Sequence, residues 1–341
     1  MKNIQIETIL LLFLSFFIIF IINQFRHELS KITNLIDRPD NFRKFHSRPV
    51  PLLGGIMIFS SFLLINLYSI FFQGFNKSYF IIFICCTICM IMGLIDDIKN
   101  ISYKYKFLSL IIIFYILISL DTNLQINKIY FSTFNKEFYL NYFSVPFTIL
   151  SLLLLTNCIN LIDGMDGLCI SISAIFITWL ISTFDNTNRL YIVLTISLIY
   201  ILYLNLKKNI FLGDSGSLFL GCLIGLSVIF NYNLEILKNY YPVENIFITF
   251  MLPGLDMLRV FVIRIINKKN PFSPDRNHLH HLLIAKDLNK EKILTIFILL
   301  ILSPILINFF TNIKSLYIIL FYILFYSILI AKLKNPPLKN Y

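Results

Sequence analysis

The chain has 341 residues, of which 57% are hydrophobic and 14% charged, and its mean hydropathy is +0.79. Soluble domains carry about 25% charged residues, so this composition excludes a soluble globular protein and defines an integral membrane protein. The formal charge of +11 raises nucleic acid as a partner, but the basic residues sit in loops between apolar runs. That distribution suits membrane topology and anionic lipid headgroups instead, and no nucleic-acid partner is expected.

A membrane-crossing helix needs about 20 mostly apolar residues. Eleven such stretches, ten at the lower count, follow in chain order: 4–24, 53–72, 78–95, 106–120, 144–161, 168–183, 190–206, 215–231, 245–266, 293–310 and 315–331. The first is read as a retained helix and not a signal peptide, because little positive charge precedes it and no small-residue cleavage site follows. Between the fourth and fifth stretches, Lys128–Phe131 and Glu137–Tyr142 read as two short strands around Asn135-Lys136, a small hairpin lid. The ninth stretch contains Pro253-Gly254, which predicts a break or kink there. The six cysteines all fall in or beside apolar spans; Cys86 and Cys89 form a C-x-x-C whose expected role is packing, with no disulfide framework or zinc site. The expected fold is thus an all-α polytopic membrane protein with a small β-hairpin. It forms one domain over 1–341, its motifs within about 37–283 and its last helices at 293–331.

Loop charge orients this arrangement. With eleven spans, 22 of the 29 lysines and arginines fall on the side holding the loops after helices 1, 3, 5, 7 and 9 and the C-terminal tail. That side should face the cytoplasm, with the N-terminus and the hairpin outside and the C-terminus inside.

The polar islands fall on the same side. Asp96-Asp97 closes the third span. Asn157, Asn160, Asp163 and Asp166 lie in Asn-Cys-Ile-Asn-Leu-Ile-Asp-Gly-Met-Asp-Gly-Leu at the end of the fifth, and Asp214 follows Phe211-Leu-Gly before the eighth. Arg276, His278, His280 and His281 occupy the loop after the ninth, and the first loop carries Arg43, Lys44, His46 and Arg48 ahead of Gly54-Gly55. Charge placed so near a bilayer is a functional-site signal. Crowded carboxylates repel one another unless a cation sits among them. Oxygen ligands from Asp and Asn favour a hard ion, Mg²⁺ or alternatively Mn²⁺. The histidines beside Arg276 suit a cationic phosphate clamp at least as well as zinc. Metal, basic residues and glycine turns together point to phosphoryl transfer. For each island alone the plain reading is a polar helix end or a lipid-facing loop. Asp256 is left outside the core site because Arg259, three residues on, pairs with it along a helix.

Five strings in fixed order carry a resemblance: Arg-Lys-Phe-His-Ser-Arg-Pro (43–49) with Gly54-Gly55, Gly-Leu-Ile-Asp-Asp (93–97), the Asn/Asp string (157–168), Phe-Leu-Gly-Asp-Ser-Gly-Ser (211–217) and Pro-Asp-Arg-Asn-His-Leu-His-His-Leu (274–282). On them the chain resembles the polyprenyl-phosphate N-acetylhexosamine-1-phosphate transferases, glycosyltransferase family 4. The resemblance implies transfer of a sugar-1-phosphate from a UDP-sugar to undecaprenyl phosphate, with release of UMP, at the cytoplasmic face of a bacterial plasma membrane. It implies Mg²⁺ at Asp214, with Asn160 and Asp97 as further ligands and Asp96, Asp97 and Asp214 as the catalytic set. It assigns Asn157, Asp163 and Asp166 to the nucleotide-sugar region, Phe211 to stacking on uracil, and Arg276, His278, His280 and His281 to the diphosphate, with Lys44 or Arg48 assisting. Leu279 interrupts the histidines where the peptidoglycan branch has three in a row. That favours the N-acetylglucosamine-1-phosphate branch, which initiates O-antigen, common-antigen or teichoic-acid polymers, over the phospho-N-acetylmuramoyl-pentapeptide branch. A transporter is the alternative from another class, but it predicts inverted repeats and midplane charges. The sugar and the oligomeric state stay open, a homodimer being the form to test for.

Overall fold

A computed structural model describes residues 2–38, 48–184, 189–236, 241–270 and 276–334. Packing divides the chain into two units, residues 1–127 with 141–239 and residues 128–140 with 240–341. Every one of the eleven apolar stretches forms a helix. Among the described residues, eight helices are long and apolar enough to cross a membrane.

The first unit opens with α1 (Lys2–Gln24), an apolar run free of glycine and proline, and a short polar helix, α2 (Arg26–Thr33), which the hydropathy pattern does not announce. Two-residue strands β1 (Ile36–Asp37) and β2 (Val50–Pro51) pair antiparallel and lead into α3 (Gly54–Tyr68). Helix α4 (Lys77–Lys99) starts where the Asn76 side chain accepts the Tyr79 N–H at 3.2 Å and ends at Asn100, whose left-handed backbone reverses the chain. Then follow α5 (Tyr103–Ser119), α6 (Ser144–Ile162), α7 (Leu168–Thr183), α8 (Arg189–Leu206) and α9 (Gly213–Ile236).

Helix α9 is the hub: 89% of its most apolar stretch is buried, against 17% for α1. It packs on α3, α4, α6 and α7. Without a hydrophobic driving force inside lipid, such a hub depends on small residues that let backbones approach. The face of α4 that carries Cys85, Cys86 and Cys89 meets Cys222 of α9, with sulfur–sulfur separations of 3.7 and 3.8 Å from Cys85 and Cys86, and all six cysteines are free thiols. Gly93 lies where α4 crosses the start of α9. A Cβ there would stand 2.4 Å from the Ser215 Cα, so only glycine permits this contact.

The second unit contains the hairpin β3 (Lys128–Phe131) and β4 (Lys136–Tyr139), paired antiparallel from Lys128↔Tyr139 to Phe131↔Lys136. The second strand ends before Tyr142 because Asn141 takes a left-handed conformation and a 3₁₀ turn follows. Helices α10 (Val243–Ile266), α11 (Leu279–Ile284), α12 (Lys290–Phe310) and α13 (Ser315–Lys334) complete the unit. The Glu244 carboxylate takes the Ser132 and Thr133 N–H groups of the hairpin turn at 3.2 and 2.9 Å. Helix α10 runs through Pro253-Gly254 without interruption, contrary to the expected break. A proline forfeits one backbone bond within a helix, and in an apolar setting keeping the others outweighs that loss.

Candidate active site

Adjacent residues on a helix point about 100° apart, and this separates the two carboxylates that close α4. Asp97 turns toward α9: its two oxygens accept the N–H groups of Asp214 at 2.8 Å and Ser215 at 3.0 Å. These are orphan donors of a helix N-terminus, where a carboxylate also complements the helix dipole. Gly213 has φ +75°, and a Cβ there would meet the Asp97 carboxylate at 2.7 Å. The Phe-Leu-Gly-Asp string therefore requires its glycine for conformation and for space. Backbone bonds from Gly54 N to Phe211 O (2.9 Å), Gly55 N to Leu212 O (3.0 Å) and Phe211 N to Pro51 O (2.8 Å) hold the string beside the start of α3.

Asp96 turns the other way. One oxygen accepts the Ile101 N–H at 2.7 Å and the other the Lys106 ammonium at 2.8 Å. Lys106 Nζ also stands 3.3 Å from Asp214 Oδ2 and 3.4 Å from Asn160 Oδ1. The Asn160 amide donates to Asp214 Oδ1 and, at 2.8 Å, to Ser217 Oγ. Two carboxylates and a carboxamide, from α4, α9 and α6, thus converge on one cationic centre. It is Asp96, and not Asp97, that shares this centre with Asp214 and Asn160.

Asp163, just past α6, has its carboxyl raised well above the ordinary range, first by desolvation and then by the negative charges of Asp214, Asp97 and Asp166. Crowded carboxylates, two of them already sharing the Lys106 ammonium, are the arrangement a divalent cation relieves. The donor set is all oxygen, which fits Mg²⁺ or Mn²⁺; Asp214, Asp96 and Asn160 are the residues that would hold the ion. Asp166 lies in the same turn, where the Gly167 N–H donates to the buried Asn205 side chain at 2.6 Å. Asn157 spends its amide on the Leu153 carbonyl of its own helix at 2.8 Å, away from the carboxylates. Phe211 is half-buried and Arg48 exposed. Lys44, with Arg43 and His46, lies outside the described residues.

The second unit holds the histidines. His278 and His280 are buried, at 5% and 2% exposure, and His281 is half-buried. Their rings stack in sequence, with centroids 6.1 Å apart for His278–His280 and 4.1 Å for His280–His281. Burial, followed by the neighbouring His281 and His278, lowers the His280 pKa to about 3. The Nε2 atoms of both buried histidines and Arg259 Nη1 are enclosed without a hydrogen-bond partner among the described residues. Buried polar nitrogens of this kind are completed by ordered water or by a bound ligand. Arg276 is exposed.

Several residues here escape a motif reading. Lys106 is one lysine of a lysine-rich helix start, and no spacing rule distinguishes it from Lys104. Asp256 pairs with Arg259 at 2.7 Å as expected, yet it also binds His278 and Tyr326. Its position between an intrahelical proline and an arginine was the available signal. Tyr326 lies in the last helix, where nothing local marks it.

The sequence model of the family described as Glycosyl transferase family 4 matches residues 79–231, the stretch that carries Asp96, Asp97, Lys106, Asn160 and Asp214. Over that stretch the chain is similar to glycosyl transferase family 4. Among its relatives, a Bacillus subtilis protein named "Probable undecaprenyl-phosphate N-acetylglucosaminyl 1-phosphate transferase" is 29% identical over 90% of this chain and 87% of its own. The undecaprenyl-phosphate alpha-N-acetylglucosaminyl 1-phosphate transferase of Thermotoga maritima is 28% identical over 93% of both chains. Its Escherichia coli K12 counterpart is 27% identical over 76% of this chain and 72% of its own. The branch to which the chain is similar is thus the N-acetylglucosaminyl 1-phosphate transferases, the one the interrupted histidines favour.

Proposed function

We propose that this protein transfers N-acetylglucosamine-1-phosphate from UDP-N-acetylglucosamine to undecaprenyl phosphate, releases UMP, and so initiates a cell-envelope polysaccharide. The observation that carries the reading is the convergence of Asp96, Asp214 and Asn160 on one cationic centre within the region that matches the family. Relatives named for this activity along most of the chain support it. The eight long apolar helices fit a lipid acceptor. An isoprenoid tail resists water by about 0.8 kcal/mol per buried CH₂, so the acceptor stays in the bilayer while its phosphate meets a soluble nucleotide. We further propose eleven crossings, with the N-terminus and hairpin outside and the site facing the cytoplasm, in the plasma (inner) membrane; the loop-charge asymmetry supports this orientation.

The acceptor is a phosphate monoester with a second pKa near ~6, so it reaches the site largely dianionic and needs little help from a general base. An acceptor oxygen attacks the β-phosphorus in line, a new P–O bond forms, and the bond to the bridging oxygen breaks so that UMP leaves with the electron pair. Asp214 and Asp96 hold the centre where charge develops, and Lys106 offsets their repulsion. Asp97 keeps Asp214 in register by holding its backbone. Mg²⁺, when bound, stabilises charge on the phosphoryl oxygens. The resemblance assigns the histidine cluster to the donor diphosphate and Phe211 to the uracil.

Purified protein supplied with UDP-N-acetylglucosamine, undecaprenyl phosphate and Mg²⁺ should release UMP. EDTA should stop the release, and Asp214→Asn should abolish it. Wild-type turnover in that variant would defeat the metal assignment. UMP release from the UDP-muramoyl-pentapeptide in preference would defeat the sugar assignment. A donor chiral at the β-phosphorus should react with inversion; retention would indicate an aspartyl phospho-enzyme instead.

A further inference from the structure

Asp256 is a buried carboxylate in mid-α10, and its four neighbours come from three different segments. Oδ2 accepts from His278 Nδ1 at 2.9 Å. Oδ1 accepts from the Tyr326 hydroxyl at 2.8 Å and from Arg259 Nη2 at 2.7 Å. The Leu279 N–H reaches both oxygens, at 3.1 and 3.3 Å. Arg259 in turn donates Nε to the Tyr326 oxygen at 3.0 Å and Nη2 to the Asn277 carbonyl. Asp256, Arg259 and Tyr326 therefore hold the backbone and the side chain of the histidine segment at consecutive residues, 277, 278 and 279. A buried polar network joined at this many points favours one geometry of the segment.

The placement of the protons follows. A carboxylate can only accept, so His278 carries its Nδ1 proton toward Asp256, and Nε2 is left for a ligand; it donates to a phosphate oxygen as the N–H of an imidazolium, whose charge Asp256 balances. That Nε2 is buried and has no partner among the described residues. A histidine whose Nδ1 is fixed by a carboxylate while its Nε2 is open is arranged to serve a ligand, much as metal-bound histidines are oriented by their outer partners. Without Asp256 the ring would be free to flip and offer the wrong nitrogen.

We propose that Asp256 is a positioning residue for the transfer reaction: assisted by Tyr326 of the last helix, it sets His278 so that Nε2 meets a phosphate oxygen of the donor. The C-terminal helix α13, outside the region that matches the family, then acts on the donor through His278. This inference rests on the reading of the protein as a UDP-sugar transferase, and the test separates the two.

Full-length wild type, Asp256→Asn, Tyr326→Phe, His278→Asn and the double variant Asp256→Asn/His278→Asn are compared in detergent with Mg²⁺. UDP binding is measured by calorimetry, and kcat and donor KM by UMP release. Asp256→Asn should weaken UDP binding and lower kcat/KM for the donor by about 10–100-fold, the usual loss when an orienting partner is removed, with acceptor KM unchanged. His278→Asn should cost as much in the wild type but less than about threefold more in the Asp256→Asn background, because groups acting through one another are not additive. Equal penalties for His278→Asn in both backgrounds, or wild-type UDP binding in Asp256→Asn, overturn the proposal. Should Asp256→Asn fail to fold, Tyr326→Phe decides: a several-fold rise in donor KM at wild-type melting temperature supports the proposal, and a wild-type KM overturns it. A wild type that binds UDP without releasing UMP from UDP-N-acetylglucosamine counts against the transferase reading alone, and the UDP-binding comparison still judges Asp256.

Discussion

Asp97, in the last turn of α4, accepts the backbone N–H groups of Asp214 and Ser215 at 2.8 and 3.0 Å, so the carboxylate of one helix closes the N-terminus of another. The Asp-Asp pair divides its labour accordingly. Asp97 fixes where α9 begins, and Asp96 shares the Lys106 cation with Asp214. Replacing Asp97 by Ala should leave two orphan donors at a buried helix end and cost about 1–2 kcal/mol of stability. It should also displace Asp214 and lower UMP release by about 10–100-fold. Asp96→Ala should lower activity with a smaller shift in the melting temperature. Thermal unfolding in detergent beside a UMP assay checks both.

Gly93→Ala drives a methyl group into the Ser215 backbone at 2.4 Å. Overpacking of this kind costs about 1–3 kcal/mol, and the added separation of α4 from α9 pulls Asp97 off its donors. Activity should fall further than stability alone explains. Gly254→Ala is the control: a Cβ there meets nothing within 4 Å, and alanine in a helix interior should be neutral or gain up to about 1 kcal/mol.

Lys106 lies against the oxygens of Asp96 and Asp214, where a divalent ion would compete with it. Lys106→Gln removes the resident cation from between Asp96 and Asp214, so the Mg²⁺ concentration for half-maximal activity should drop several-fold while turnover also falls. A Mg²⁺ titration of the variant against wild type measures this; a rise in the half-maximal concentration would mean that the lysine helps to hold the ion's ligands in place.

His280 is buried with a pKa lowered to about 3, whereas an unfolded histidine titrates near ~6.5. The unfolded chain therefore binds a proton that the folded chain refuses across that interval. Stability contributed by the neutral ring is complete above about pH 6.5 and is lost as the pH falls toward 3. The melting temperature of the ligand-free protein should decline over this range, and His280→Asn should decline less. A flat profile in the wild type would show that the ring is solvated.

Much of the fold was legible in the residues. The eleven apolar runs became helices because a segment in lipid has few other ways to satisfy its backbone, and the hairpin formed, with its turn at Ser132–Asn135 and Lys136 already in the second strand. The site was legible as a set of residue types: Asp96, Asp214 and Asn160 were marked by charge set hard against apolar spans. Their partners were not. Lys106 resembles every other lysine of a basic loop, and Asp256 looked like half of an intrahelical pair until His278 and Tyr326, 22 and 70 residues further on, closed around it.

Composition and order of residues alone determined that the chain lives in a membrane and carries five hydrophilic strings suited to a cation and a phosphate, since hydropathy and ligand chemistry are properties of local sequence. Which of two adjacent aspartates caps a helix and which shares a cation, and which distant tyrosine steadies a histidine, was decided only in three dimensions. Those assignments depend on the direction in which a side chain leaves its helix and on what another helix brings to meet it, and neither is a property of any short stretch of chain.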